Sequence, residues 1–277
     1  MNLTIKKSEF LQRSKGIGFL SYKTIDNTTK LNDLFQQGSL KIRFPSSFNE
    51  FSEAVLINTA GGYTGGDYCK LKIEVDKDSK VLISGQAAEK VYKCIDGKVK
   101  IINQIYLGEK SKFLWLPQEL IMFNESRIKR CNTINLSQSS MFFGVESVVF
   151  GRHKMGEKVY EGMFDERWKI ILNNKLIFSD FSFIDGDINQ KIKNPAILDG
   201  SNSMSSIIFY KNNMGNLLDK IRNSIVDLPC ETGVSMILNN LMVFRLVSKN
   251  SRILKEAISK IFYLIFPDLE LPKTWRI

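Results

Sequence analysis

Ala54-Val55-Leu56-Ile57-Asn58-Thr59-Ala60-Gly61-Gly62-Tyr63-Thr64-Gly65-Gly66-Asp67, continued by Leu71-Lys72-Ile73-Glu74-Val75, reads as strand, glycine turn and strand. Glycine pairs permit positive φ and close backbone approach, so the chain turns sharply after the apolar run and presents Asp67 at a fixed place. A dinucleotide-binding unit would open a helix at this point; instead Leu71, Ile73 and Val75 alternate with charged residues at the period of a strand. The stretch also lacks the Gly-Lys-Ser/Thr ending with which a P-loop holds phosphate and magnesium. Neither nucleotide hydrolysis nor a Rossmann crevice is supported.

The same alternation extends outward. Asp76-Lys77-Asp78-Ser79 forms a turn before Val81–Ile83, and Val99–Leu107 and Thr133–Leu136 read as strands. Trp168–Leu172 and Lys175–Phe178 form a hairpin closed by Asn173-Asn174. With few helical patterns between the strands, antiparallel pairing is the economical expectation. The polar stretch Gly200–Ser206 is expected to end the strands. Beyond it, Leu217, Leu218, Ile221 and Ile225 share one helical face. A second stripe comprises Ile253, Leu254, Ala257, Ile258, Ile261, Phe262 and Ile265, capped by Ser251 and ended by Pro267. The expectation is a mainly β protein, a single domain over 1–277, with a β-rich body at 1–200 and a helix-containing region at 201–277.

Composition narrows the function classes. A chain of 277 residues, 43% hydrophobic and 25% charged, supports a substantial core. No apolar run reaches the roughly 18 residues of a membrane span, and the opening Met1–Lys7 leads into polar residues without a secretory apolar segment, so a cytoplasmic location and no membrane partner are expected. Cys69, Cys94, Cys131 and Cys230 match no paired metal-ligand spacing, and His153 is the lone histidine, so no permanent His/Cys metal site is expected. The net charge of +10 is spread evenly, with 21 Lys/Arg against 15 Asp/Glu in residues 1–150 and 18 against 14 thereafter. Its tightest group, Arg127, Lys129 and Arg130, alternates as an exposed strand face would. That pattern favours acidic protein surfaces over nucleic acid. Asp67, Glu119 and Glu157 are carboxylates in turn settings, suited to transient handling of a divalent cation. Alternatives are a hydrolase using Asp67 or Glu157 as acid or base and, behind it, a basic nucleic-acid-binding protein.

Four separated stretches carry a resemblance. They are Leu56–Gly62 with Thr64-Gly65-Gly66-Asp67; Trp115-Leu116-Pro117-Gln118-Glu119; Gly151-Arg152 with Gly156-Glu157; and Leu271-Pro272-Lys273-Thr274-Trp275-Arg276. In this order they resemble the urease accessory protein UreD (UreH) family, with its Gly-Gly-x-x-Gly-Gly-Asp turn, Trp-Leu-Pro-Gln-Glu segment, Gly-Arg-x-x-x-Gly-Glu segment and Pro-Arg-x-Trp ending. Ser84–Lys93 departs from the family, which more often has threonines and a proline before its Lys-x-Tyr-Arg, although Lys90 and Tyr92 fit.

The resemblance implies an elongated β-superhelical body and a non-enzymatic role in urease maturation. The expected partners are UreF, the GTPase UreG and the urease structural subunits. The implied metal is transient Ni²⁺, conducted through an internal passage lined by polar and acidic groups. Asp67, Ser84, Glu119 and Glu157 are the passage-lining candidates. Gly61, Gly62, Gly65, Gly66, Trp115, Pro117, Arg152, Gly156 and Trp275 are the structural motif positions.

Overall fold

The computed structural model describes residues 12–46, 50–152 and 156–276. From Ser52 onward the chain passes between two facing sheets, one strand at a time. β4 (Ser52–Asn58), β6 (Lys80–Gly85), β9 (Lys112–Leu116) and β12 (Met141–Phe150) lie in a ten-stranded sheet. β5 (Tyr68–Val75), β8 (Val99–Leu107), β11 (Ser126–Leu136) and β13 (Glu161–Leu172) lie in a seven-stranded one. Each coil adds one strand to each sheet, so these neighbours pair in parallel. The expected antiparallel body is thereby corrected. Period-two alternation reports one buried face but not strand direction, and the crossover between parallel neighbours is a strand of the opposite sheet, not a helix that would have signalled it.

Antiparallel pairing is confined to the margins of the coil. β1 (Lys15–Ile25) pairs with β2 (Thr28–Gly38), and β3 (Leu40–Arg43) with β4. β13 forms a hairpin with β14 (Lys175–Asp187), and Asn173 and Asn174 carry φ of 49° and 63°, the left-handed pair that a two-residue hairpin turn requires. After the short helix α1 (Ile188–Lys191), the strands resume. β15 (Ser203–Lys211), β16 (Glu231–Leu238) and β17 (Leu241–Ser248) extend the ten-stranded sheet, so Gly200–Ser206 is a turn into a strand and 201–277 is mixed. Ser203, Ser205 and Ser206 occupy buried strand positions that polarity alone does not identify.

Two cores result. Between the sheets, Phe113, Phe142, Phe164 and Trp168 are wholly buried. On the outer side of the ten-stranded sheet, Phe143, Phe209 and Phe244 pack beneath α2 (Leu217–Ile225) and α3 (Ser251–Ile265). From the expected stripes, Ile221 and Ile225 of α2 and Leu254, Ala257, Ile258, Ile261 and Phe262 of α3 are buried, the remainder partly so, and Phe262 meets Phe143 edge to face at 5.7 Å. The cap of α3 is Asn250, whose side chain accepts from the Arg252 amide, one residue before the expected Ser251. A 3-10 turn at Lys273–Trp275 closes onto this core, and Trp275 Nε1 donates to the Leu116 carbonyl at 2.8 Å.

The connections from the ten- to the seven-stranded sheet stack into a seam. β7 (Glu89–Val91) pairs with β10 (Leu120–Met122), which pairs with the end of β12, while Tyr63 bridges to Val91. Gly65 belongs here because a Cβ would lie 1.9 Å from the Asp96 carbonyl oxygen, and Gly62 because its φ is 144°.

Candidate functional site

The strand phase that buries apolar side chains also carries polar ones inward. Asn103 stands between Ile101 and Ile105 on β8, and Arg130 and Asn132 between Ile128 and Ile134 on β11. Glu166 stands between Phe164 and Trp168 on β13, while Glu146 faces them from β12. Arg130 is therefore a core residue and not part of an exposed basic face; only Arg127 and Lys129 of that group point outward. Adjacent residues on a strand point to opposite faces, and the reading of the three as one group overlooked this.

These groups form one hydrogen-bonded chain. Asn103 Nδ2 donates to Asn132 Oδ1 at 2.8 Å, and Asn132 Nδ2 to Glu146 Oε1 at 3.2 Å. Trp115 Nε1 donates to the same oxygen at 2.9 Å. The Arg130 guanidinium lies 2.7 Å from Glu146 Oε2 and donates through Nε to Glu166 Oε2 at 2.7 Å. A cavity of about 80 Å³ adjoins the network; Asn58, Glu89, Pro117 and Gln118 line it with Arg130 and Glu146. Asn58 Nδ2 donates to Glu89 there at 3.0 Å. On the other side, register continues the polar row from Glu146 to Ser206 and Arg245, and Arg245 pairs with Asp180 on β14. Ser206 Oγ and Trp168 Nε1 are buried without a hydrogen-bond partner among the described residues. An unsatisfied buried polar group costs about 1–3 kcal/mol, so the row favours hydration or a polar visitor over a dry core.

Electrostatics set the character of the row. Burial pushes the Glu146 carboxyl up to about 7; Arg130 opposes the rise and Glu166 adds to it. Burial also raises Glu89, against the hydrogen bond from Asn58. For Arg130, burial disfavours the cation, but the pull of Glu146 and Glu166 holds its pKa above the ordinary value. One guanidinium thus contacts the carboxyls of Glu146 and Glu166 and feels the charge of Glu89. Among the described residues, no group of three or more His, Cys, Asp or Glu side chains converges to hold a metal ion.

The residues singled out from sequence lie mostly along the seam. Asp67 is buried, and its carboxylate accepts the Ser14 amide at 2.7 Å and the Thr64 amide at 2.8 Å. Glu157 pairs with Arg152 at 2.6 Å, and Arg152 covers the Phe123 ring. Ser84 faces away from the inter-sheet space, where Thr274 Oγ1 donates to its hydroxyl at 3.1 Å. Glu119 holds the seam through its carbonyl, which accepts the Glu89 amide. None of these four lines the cavity, whereas Trp115 and Pro117, taken as structural motif positions, do. His153 lies outside the described residues. The carboxylates that a hydrolase would use, Asp67 and Glu157, are each engaged in holding a turn.

Comparison with known proteins bears on the same arrangement. Residues 14–276 match the family described as UreD urease accessory protein. The chain is 32% identical over 266 residues to the urease accessory protein UreD of Agrobacterium fabrum, covering 96% of this chain and 92% of the relative. It is 30% identical over 266 residues to the UreD of Rhizobium rhizogenes, covering 96% of each. With urease accessory protein UreD 1 of Brucella abortus it shares 32% identity over 270 residues, covering 96% of this chain and 95% of the relative.

Proposed function

The chain belongs to the UreD family of urease accessory proteins, and from that premise we propose that it acts in urease maturation as a non-catalytic conduit, passing Ni²⁺ with UreF and UreG to the urease apoprotein. The observation that carries this reading is the polar row between the sheets, where Glu89, Glu146 and Glu166 face the single guanidinium of Arg130.

A conduit must replace part of the hydration of its cargo without trapping it. Carboxylates, amides and hydroxyls do this for a divalent ion, whereas a Cys/His cage would retain it. Entry is at the cavity beside Asn58 and Gln118, where Glu89 attracts the cation. Glu146, with a pKa near neutrality, exchanges a proton for the passing charge, so binding is weakened by the proton it releases. Arg130 keeps the carboxylates apart and ensures that an empty row is not left as uncompensated charge. Asn103 and Asn132 supply neutral oxygens for the intervening step.

Co-expression of urease subunits and accessory proteins with this chain, without it, and with Asn103→Leu tests the reading by measured bound nickel and urease activity. Leucine keeps the branching and heavy-atom count of asparagine, though it is bulkier, and removes the polar step. Nickel-poor apoprotein on omission, and reduced loading by an Asn103→Leu protein that still co-purifies with its partners, are expected. Full nickel loading in the absence of the chain would sink the proposal. Full loading by a folded Asn103→Leu protein would move the route elsewhere.

A further inference from the structure

Among the described residues no helix covers the outer face of the seven-stranded sheet, while α2 and α3 pack on the other sheet. Its rows are read from register. Lys100 stands beside Lys129, then Asp165; Lys70 lies in the row of Cys131 and Arg167; Lys72 lies in the row of Thr133 and Lys169. On the four inner strands β5, β8, β11 and β13, seven cations, Lys70, Lys72, Lys100, Arg127, Lys129, Arg167 and Lys169, thus share this face with the carboxylates Glu74, Glu161 and Asp165. Lys70, Lys100 and Lys169 make no ion pair among the described residues.

Rings accompany the charge, and cations cap three of them, while Phe35 on β2 is exposed with no cation over it among the described residues. Lys72 Nζ lies 5.5 Å from the Phe19 ring centre and 5.3 Å from that of Tyr106. Arg167 lies 4.4 Å over Phe181, which stacks on Phe183 at 5.6 Å. A single-stranded nucleic acid binds such a sheet by stacking bases on free aromatic faces. Here Lys72 and Arg167 themselves cap the rings of Phe19, Tyr106 and Phe181, which leaves few faces for bases to stack on. A second copy of the chain is disfavoured, because both partners would carry a net charge of +10.

We propose that this face is a docking surface for an acidic protein surface, whose carboxylates pair with Lys70, Lys100 and Lys169 across the sheet. The proposal is independent of the polar row; only the choice of urease apoprotein as one probe rests on the function proposed above.

The test compares wild type with Lys70→Glu/Lys100→Glu/Lys169→Glu, and with Lys220→Glu/Lys249→Glu/Lys260→Glu, which makes the same charge change on the helix-bearing side. Binding of urease apoprotein, a polyglutamate peptide and a single-stranded oligonucleotide is measured at several salt concentrations, after each variant's melting temperature has shown it folded. The sheet variant is expected to lose about tenfold or more in affinity for polyglutamate and apoprotein, with a shallower salt dependence, while the helix-side variant stays within about threefold. Equal losses in both variants, or no binding of polyglutamate by wild type, would overturn the proposal. So would oligonucleotide binding tighter than polyglutamate binding and lost in the sheet variant. If polyglutamate binds through this face but apoprotein does not bind at all, the docking face stands and the urease reading fails.

Discussion

Glu146→Gln isolates a deeply buried titration at the centre of the polar row. In the folded chain burial lifts the Glu146 carboxyl from 4.5 to about 7, so between those two values the native state holds a proton that the unfolded state has lost. The sign follows directly. Stability is highest below the unfolded pKa, falls as pH rises, and levels off once the folded pKa is passed. At about 1.4 kcal/mol per pH unit, this window corresponds to a loss on the order of 3 kcal/mol between pH 4.5 and pH 7. Glutamine cannot ionise. Its carbonyl can still accept from Trp115 and Asn132, while Arg130 keeps Glu166 as its counter-ion. The variant should therefore lose most of the slope without losing the fold.

Urea unfolding followed by tryptophan fluorescence suits the measurement, since Trp115, Trp168 and Trp275 are all buried. Wild type and Glu146→Gln would be titrated at pH 5, 6, 7 and 8, and the difference between their stabilities plotted against pH. Glu89, also raised by burial, contributes with the same sign to both proteins and cancels in that difference. The difference should shift by a few kcal/mol in favour of the variant from pH 5 to pH 8. Parallel curves would refute the reasoning, because they would mean that Glu146 does not take up its proton in this range.

Asp67→Ala removes an acceptor from two amides and should cost about 1–3 kcal/mol in urea unfolding; if the variant is as stable as wild type yet fails in nickel loading, Asp67 acts on the cargo and not on the turn. Gly65→Ala would drive a methyl into the Asp96 carbonyl and should cost about 3 kcal/mol or more, whereas Gly156→Ala, with φ of 72° and open space around it, should cost about 1 kcal/mol. Equal melting temperatures for these two variants would contradict the close approach at the seam. Trp275→Phe leaves the Leu116 carbonyl without its donor and should lower stability by about 1–2 kcal/mol, read from the same unfolding curves.

Much of this fold is legible in the chain, for identifiable reasons. The Asn173-Asn174 hairpin, the glycine turns and both helical stripes are local patterns, and local physics produces them. Strand direction is not local; it depends on where the chain goes between two strands, which alternation does not encode. The polar row between the sheets escaped the sequence reading for a different reason. Attention to carboxylates in turns selected Asp67, Glu119 and Glu157, whose polar atoms hold the seam together. The informative signal was a polar residue standing in the apolar phase of a strand: Asn103 after Ile101, Arg130 after Ile128, Glu166 after Phe164. That phase was visible in the sequence, but pairing Glu146 with Arg130 required the opposite sheet.

The one-strand-per-coil construction also constrains how such a protein can vary over generations. Deleting one residue within β11 would invert the strand beyond the lesion, bringing Lys129, Cys131 and Thr133 to the interior and turning Arg130 and Asn132 outward. Length changes are therefore tolerated at the turns and selected against inside the strands. The chemistry of the interior can be altered only by exchanging one side chain for another, position by position, while the number of coils fixes how many such positions there are.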